Sequence, residues 1–127
     1  MKVITKSPDE TISLGRELGN RLSAGDVIAL TGELGTGKTT FTKGIAVGMG
    51  VKKIKVRSPS FILINQILGG RLPLYHFDLY RLNTLREIQG LGYEEYFYGV
   101  GVSVIEWAEK IKGILPELLA SVHVFAG

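Results

Sequence analysis

Residues 26–41 read DVIALTGELGTGKTTF, an apolar run that feeds a loop of three glycines and one lysine, which opens in turn into helix-like sequence. Within it, Gly32-Glu33-Leu34-Gly35-Thr36-Gly37-Lys38-Thr39 matches G-x-x-x-x-G-K-[ST] at every fixed position. Glycines at these points permit positive φ and close backbone approach, so successive N–H groups can converge on phosphate oxygens. The helix that follows presents its free N-terminal donors and positive dipole end to the same anion. Lys38 is placed to neutralise β and γ phosphates, Thr39 to offer a hydroxyl to Mg²⁺, and Thr40 to reach the α phosphate. At average glycine usage a chance match in a chain this long is on the order of a few per thousand. The stretch predicts a strand over Val27–Thr31, a phosphate-binding loop, and a helix carrying Phe41 and Ile45 until Gly48 and Gly50 end it.

Working outward, Ser7-Pro8-Asp9-Glu10 is a helix-start signal. Leu14, Leu18 and Leu22 then recur every four residues, predicting an amphipathic helix to about Ser23. Gly15 and Gly19 form a neighbouring stripe suited to close packing. Downstream, residues 61–67 and 72–80 read as strands flanking Gly69-Gly70, a two-residue hairpin signal. Residues 84–98 read as short helices broken at Gly90 and Gly92, and Val102-Ser103-Val104-Ile105-Glu106 as a buried strand ending in an acid. Residues 107–111 are helical or loop-like, and a last strand lies within Leu118–Phe125. The order predicts one α/β domain over residues 1–127: a P-loop NTPase-like mixed sheet, mostly parallel with an antiparallel hairpin, flanked by helices.

Composition sets the outer bounds. The 127 residues are 45% hydrophobic and 21% charged, which argues against disorder and is enough for one packed core. No cysteine is present, which excludes disulfide frameworks, thiolate metal sites and cysteine nucleophiles, and fits a reducing cytoplasm. Lys2 and Asp9 interrupt any signal-like apolar segment, and no apolar run reaches the ~18 residues of a membrane span. A net charge of +3 is too mild to indicate nucleic-acid binding.

A phosphate loop needs a carboxylate to hold Mg²⁺ or order water. Glu106 is the first candidate, delivered by a buried strand to the sheet's carboxyl edge, where open α/β sheets bind ligands. Asp78 is the second. Strand alternation sets His76 and Asp78 on one face, with Tyr75 and Phe77 on the other, so the pair serves water or metal, or is a structural hydrogen bond. Ser58-Pro59-Ser60-Phe61 lies where a γ-phosphate sensor is expected, and reads equally well as a proline turn. Lys52, Lys53, Lys55 and Arg57 could touch RNA or an acidic partner; a solvated edge strand is the favoured account. Trp107 reports on the site or packs, and His123 receives no role.

Taken together, GELGTGKTTF, SPSF, HFDLYRL and VIEWAEKI, in this order and spacing, resemble the bacterial TsaE (YjeE) family from about Ser7 to Pro116. The resemblance implies a small domain that binds ATP with Mg²⁺, hydrolyses it slowly and docks on the TsaD–TsaB pair. That pair transfers threonylcarbamoyl to adenosine 37 of tRNAs reading codons that begin with A, and ATP turnover is thought to reset it between rounds. Contact with tRNA would be indirect, and the free protein a cytoplasmic monomer. Carried over by position, Gly35, Thr36, Gly37, Lys38 and Thr40 hold phosphates, and Thr39 with Glu106 holds Mg²⁺. Asp78 becomes an acid needed for hydrolysis, Ser58 to Phe61 a switch-like segment, Trp107 a neighbour of the nucleotide, and the region of Asp9 a contact to the base. Two departures stand out. Ser60 replaces the usual threonine, keeping the hydroxyl, and the family usually continues further past the position of Pro116, so an altered last strand is expected.

Other functions fit less well. A small-molecule kinase wants an Arg-rich lid, whereas Arg71, Arg81 and Arg86 are scattered. A GTP switch wants N-K-x-D and D-x-x-G, and neither occurs. A nucleotide-dependent binding module without turnover shares the whole pattern.

Overall fold

The computed structural model describes residues 2–4, 7–31, 37–52, 64–80 and 82–125. Its elements are β1 (Lys2–Ile4), α1 (Pro8–Gly19), β2 (Val27–Thr31), α2 (Lys38–Gly48), β3 (Ile64–Ile67), β4 (Leu74–Asp78), α3 (Leu85–Gln89), α4 (Tyr93–Phe97), β5 (Val102–Glu106), a 3₁₀ helix (Ala108–Ile114) and β6 (Ala120–Phe125). The strands form one six-stranded sheet in the order β1-β6-β2-β5-β4-β3, parallel throughout except for the antiparallel pair β3–β4. This is the mixed α/β sheet expected. Among the described residues no helix is long and apolar enough to cross a membrane.

Central strands read as continuous apolar runs because helices cover both their faces. Ile28 and Leu30 of β2 and Val102 and Val104 of β5 point to one core, shared with Phe41 and Ile45 of α2 and Val122 of β6. Val27, Ala29, Phe77 and Ile105 point to the other, shared with Ile88, Phe97 and Ile111. The period-2 alternation of the strands therefore builds a three-layer sandwich.

The start of α1 follows its sequence signal: Ser7 Oγ accepts from the Glu10 N–H at 3.1 Å, and Pro8 takes the first helical position. The glycine stripe is the contact surface with α2, while Leu14 and Leu18 pack at the margin of the core. A Cβ on Gly44 would lie 2.4 Å from the Ile12 carbonyl oxygen, and one on Gly15 2.5 Å from that of Phe41. Gly44→Ala gains about 1 kcal/mol of helix propensity. It also forces two backbones apart, which overpacking data put at about 1–3 kcal/mol. The clash wins, because backbone cannot rotate away. A lowered urea midpoint for this variant is the expected result, and an unchanged or raised one would disprove the close crossing.

Two local expectations are corrected, and one unexpected strand is added. Helix α1 ends at Gly19, not near Ser23, because the Arg71 guanidinium donates to the carbonyls of Gly19 (2.7 Å) and Leu22 (2.9 Å). The β3–β4 connection is not a two-residue turn: Ile67 pairs with Leu74, leaving six residues between them. That loop is anchored elsewhere, since the Arg71 N–H donates to the Met49 carbonyl at 2.8 Å and its side chain caps α1. Strand β1 carried no usable signal. Strand β6 is paired on both sides, with β1 and β2, so the last strand is built into the sheet interior.

Candidate functional site

Strands β2, β4 and β5 run parallel, so their carboxyl ends share one edge of the sheet. In register, Leu30 lies opposite Glu106, and Glu106 opposite Asp78. One residue past Leu30 the chain leaves β2 at Thr31, whose hydroxyl is hydrogen-bonded to His123 Nδ1 at 2.7 Å. It re-emerges at Gly37 with φ 90° and enters α2 at Lys38. A left-handed residue there is why glycine stands before the lysine. Residues 32–36 of the loop, including Gly35 and Thr36, lie outside the described residues, as do Ser58, Pro59, Ser60 and Phe61, and Lys53, Lys55, Arg57 and Arg81.

Lys38 is the focus. It is only 5% exposed, and its Nζ sits 4.0 Å from the centre of the Trp107 ring. Burial pushes its pKa below the ordinary lysine value; the carboxylates of Glu106, then Asp78, then Glu109 act in the opposite direction. A cation is thus held in a dry position with acids from two strand ends around it. Thr39 and Thr40 follow in the first turn of α2, both half-buried.

Trp107 reaches Lys38 by an uncommon backbone turn: among described non-glycine residues it alone has positive φ, at 64°. Such a conformation costs of order 1 kcal/mol or more and collects at functional sites. Its ring packs on Tyr80, centroids 5.2 Å apart. Lys110 ties the segment down, donating from Nζ to the carbonyl oxygens of Tyr80 and, at 3.3 Å, Leu82.

The two acids differ in setting. Glu106 is 3% exposed and its Oε2 accepts from Nε2 of His76, itself fully buried. Asp78 is half-buried and its Oδ1 accepts from the Tyr80 N–H at 3.2 Å. The expected common face is present, yet His76 bonds Glu106 across the strand pair, not Asp78 on its own strand. In chemical terms the site combines a cation, two carboxylates and helix-terminal donors at a sheet's carboxyl edge, where α/β folds bind anionic ligands. Asp9 is an exposed residue in the first turn of α1, and Lys52 is exposed after α2. Sequence reasoning missed Glu109, Tyr80 and Lys110; spacing from Glu106 in VIEWAEKI was the only available hint for the first.

Comparison with known proteins decides the family. The family model described as threonylcarbamoyl adenosine biosynthesis protein TsaE matches residues 5–126. The chain belongs to the TsaE family. The TsaE of Bacillus subtilis is 45% identical over 117 residues, covering 92% of this chain and 72% of that one. The Treponema pallidum TsaE is 40% identical over 124 residues, covering 98% and 90% respectively. The crystal structure of Bacillus subtilis YdiB is similar at a TM-score of 0.77 and 43% identity, covering 93% of this chain and 72% of that one. As a TsaE family member the chain has its role in tRNA threonylcarbamoyladenosine biosynthesis.

Proposed function

We propose that this TsaE family member binds ATP with Mg²⁺, hydrolyses it slowly, and in doing so serves the TsaD–TsaB pair in threonylcarbamoylation of adenosine 37 of tRNA. The observation that carries the ATPase reading is the buried Lys38 ammonium at the start of α2, facing Glu106 and Asp78 at the carboxyl edge of the sheet. Burying a cation costs desolvation, which the charge of a bound phosphate would offset. The same arrangement would be wasted in a structural role.

A magnesium ion fits the donors present. Glu106 keeps one carboxylate oxygen outside its bond to His76, and Thr39 adds a hydroxyl. Both are hard oxygen donors. The described residues supply no cluster of three or more His, Cys, Asp or Glu. Magnesium accepts such partial protein coordination, taking its other places from phosphate oxygens and water. When bound, it would neutralise charge developing on the phosphates. Lys38 would draw the same oxygens toward the helix terminus, with Gly35, Thr36 and Gly37 lending backbone donors and Thr40 the α-phosphate contact.

Asp78 would orient the attacking water; its lesser burial and its register opposite Glu106 support that reading. On the family resemblance, Trp107 would lie near the nucleotide, the region of Asp9 would contact the base, and Ser58 to Phe61 would form a switch-like segment. Asp78→Asn keeps shape but loses the base, so nucleotide affinity should stay within a few-fold while phosphate release falls by about 10²-fold or more. Unchanged turnover would demote Asp78 to a structural role. Phosphorylation of a small metabolite by the chain alone would favour a kinase over this reading.

A further inference from the structure

Glu106 has three rotatable side-chain bonds, and a carboxylate so deep in the fold needs something to hold it. His76 does so from the adjacent strand. The two belong to parallel neighbours in which His76 lies opposite Val104 and Asp78 opposite Glu106, all on one face of the sheet. The imidazole therefore spans two registers to meet Oε2 of Glu106. His76 is 0% exposed and its other nitrogen, Nδ1, is buried with no hydrogen-bond partner among the described residues. A proton on Nδ1 would be an orphaned buried donor, so the ring hydrogen belongs on Nε2, pointing at the carboxylate. The ring is fully buried and engaged by Glu106 on one side.

We propose that His76 is a positioning residue for Mg²⁺: by consuming Oε2 of Glu106 it fixes the carboxylate so that Oε1 faces the metal. The proposal rests on the Mg-nucleotide reading above. Asp78 cannot do this job, since a second carboxylate opposite Glu106 repels it, and its own Oδ1 is taken by the Tyr80 N–H. Outer-shell partners of metal-binding side chains typically contribute 10- to 100-fold in metal affinity.

The test is calorimetric titration with ADP, which is not turned over, at graded Mg²⁺ and in EDTA. His76→Leu keeps an apolar volume but no donor; it should raise the Mg²⁺ concentration needed for half-maximal enhancement by ~10- to 100-fold. Its affinity for ADP in EDTA should change by less than about 3-fold, because Lys38 and the helix terminus are untouched. His76→Gln places an amide N–H near the position of Nε2 and should recover most of the metal response. His76→Asn is too short to reach and should resemble the Leu variant. Wild-type Mg²⁺ dependence in His76→Leu would overturn the proposal, as would equal impairment in the Gln and Asn variants. If His76→Leu does not fold, the Gln and Asn pair decides alone. A wild-type chain whose ADP binding ignores Mg²⁺ would refute the broader reading; a wild-type response that His76→Leu reproduces refutes only the role of His76.

Discussion

Replacing Lys38 with methionine is expected to abolish ATP binding and, at the same time, to raise the melting temperature of the nucleotide-free chain. The two effects share one cause. The Lys38 ammonium is held nearly out of water, and burial lowers its pKa despite the opposing pull of Glu106, Asp78 and Glu109. Its folded-state pKa therefore lies below the unfolded value, and the unfolded chain binds the proton more tightly. Below both pKa values both states are protonated and the folded state carries the whole cost. Stability should rise with pH only as the medium passes the folded pKa toward the ordinary lysine value. Methionine of similar length removes that cost and keeps an attractive contact with the Trp107 ring, replacing a cation–π pair with a sulfur–aromatic one of similar size. The thermal advantage of Lys38→Met should therefore be full below the folded-state pKa of Lys38 and shrink as the pH rises through it. Against it stands the loss of charge-assisted bonds to two phosphates. At about 1.5–3 kcal/mol each, these amount to ~10²- to 10⁴-fold in affinity. Calorimetry with scanning fluorimetry measures both. Tight ATP binding by the variant would sink the site assignment.

The second large effect is expected at Glu106. Glu106→Ala removes the proposed carboxylate ligand and should cut Mg²⁺-dependent turnover by about 10²-fold or more, in line with the several kcal/mol that a bound metal supplies. Nucleotide binding in EDTA should persist, because it depends on Lys38. A structural cost accompanies the change: His76 then has two buried nitrogens without partners, worth about 1–3 kcal/mol. Glu106→Gln, which can still accept from Nε2, should lose turnover with less loss of stability. Retained turnover in both variants would remove Glu106 from the metal site.

How far the sequence reveals such a site depends on which interactions are local. DVIALT followed by GELGTGKTTF announces strand, loop and helix because alternation, glycine and the G-K-T pattern all act within a few residues. Strand β5 was legible to the residue, since four apolar or small positions followed by Glu106 leave no other reading. The crossing of α1 and α2 was visible as the Gly15 and Gly19 stripe, although the leucines were the louder signal. What failed was non-local. Three residues at Lys2–Ile4 are too few to carry a period, and they form a strand only because β6 offers an edge. Arg71, itself in the β3–β4 loop, holds the end of α1 from about fifty residues further along the chain. The bond of His76 to Glu106, in place of Asp78, depends on the register of β4 against β5, which no local pattern encodes. The left-handed turn at Trp107 is likewise a product of the packing around Tyr80 and Lys110.

The proposed chemistry and the proposed partner meet in one measurement: phosphate release from Mg-ATP by the purified chain, alone and with the TsaD–TsaB pair. Slow hydrolysis alone, abolished by Lys38→Met and increased by the pair, is the predicted result. No hydrolysis in either condition, or a rate that the pair does not change, would contradict it.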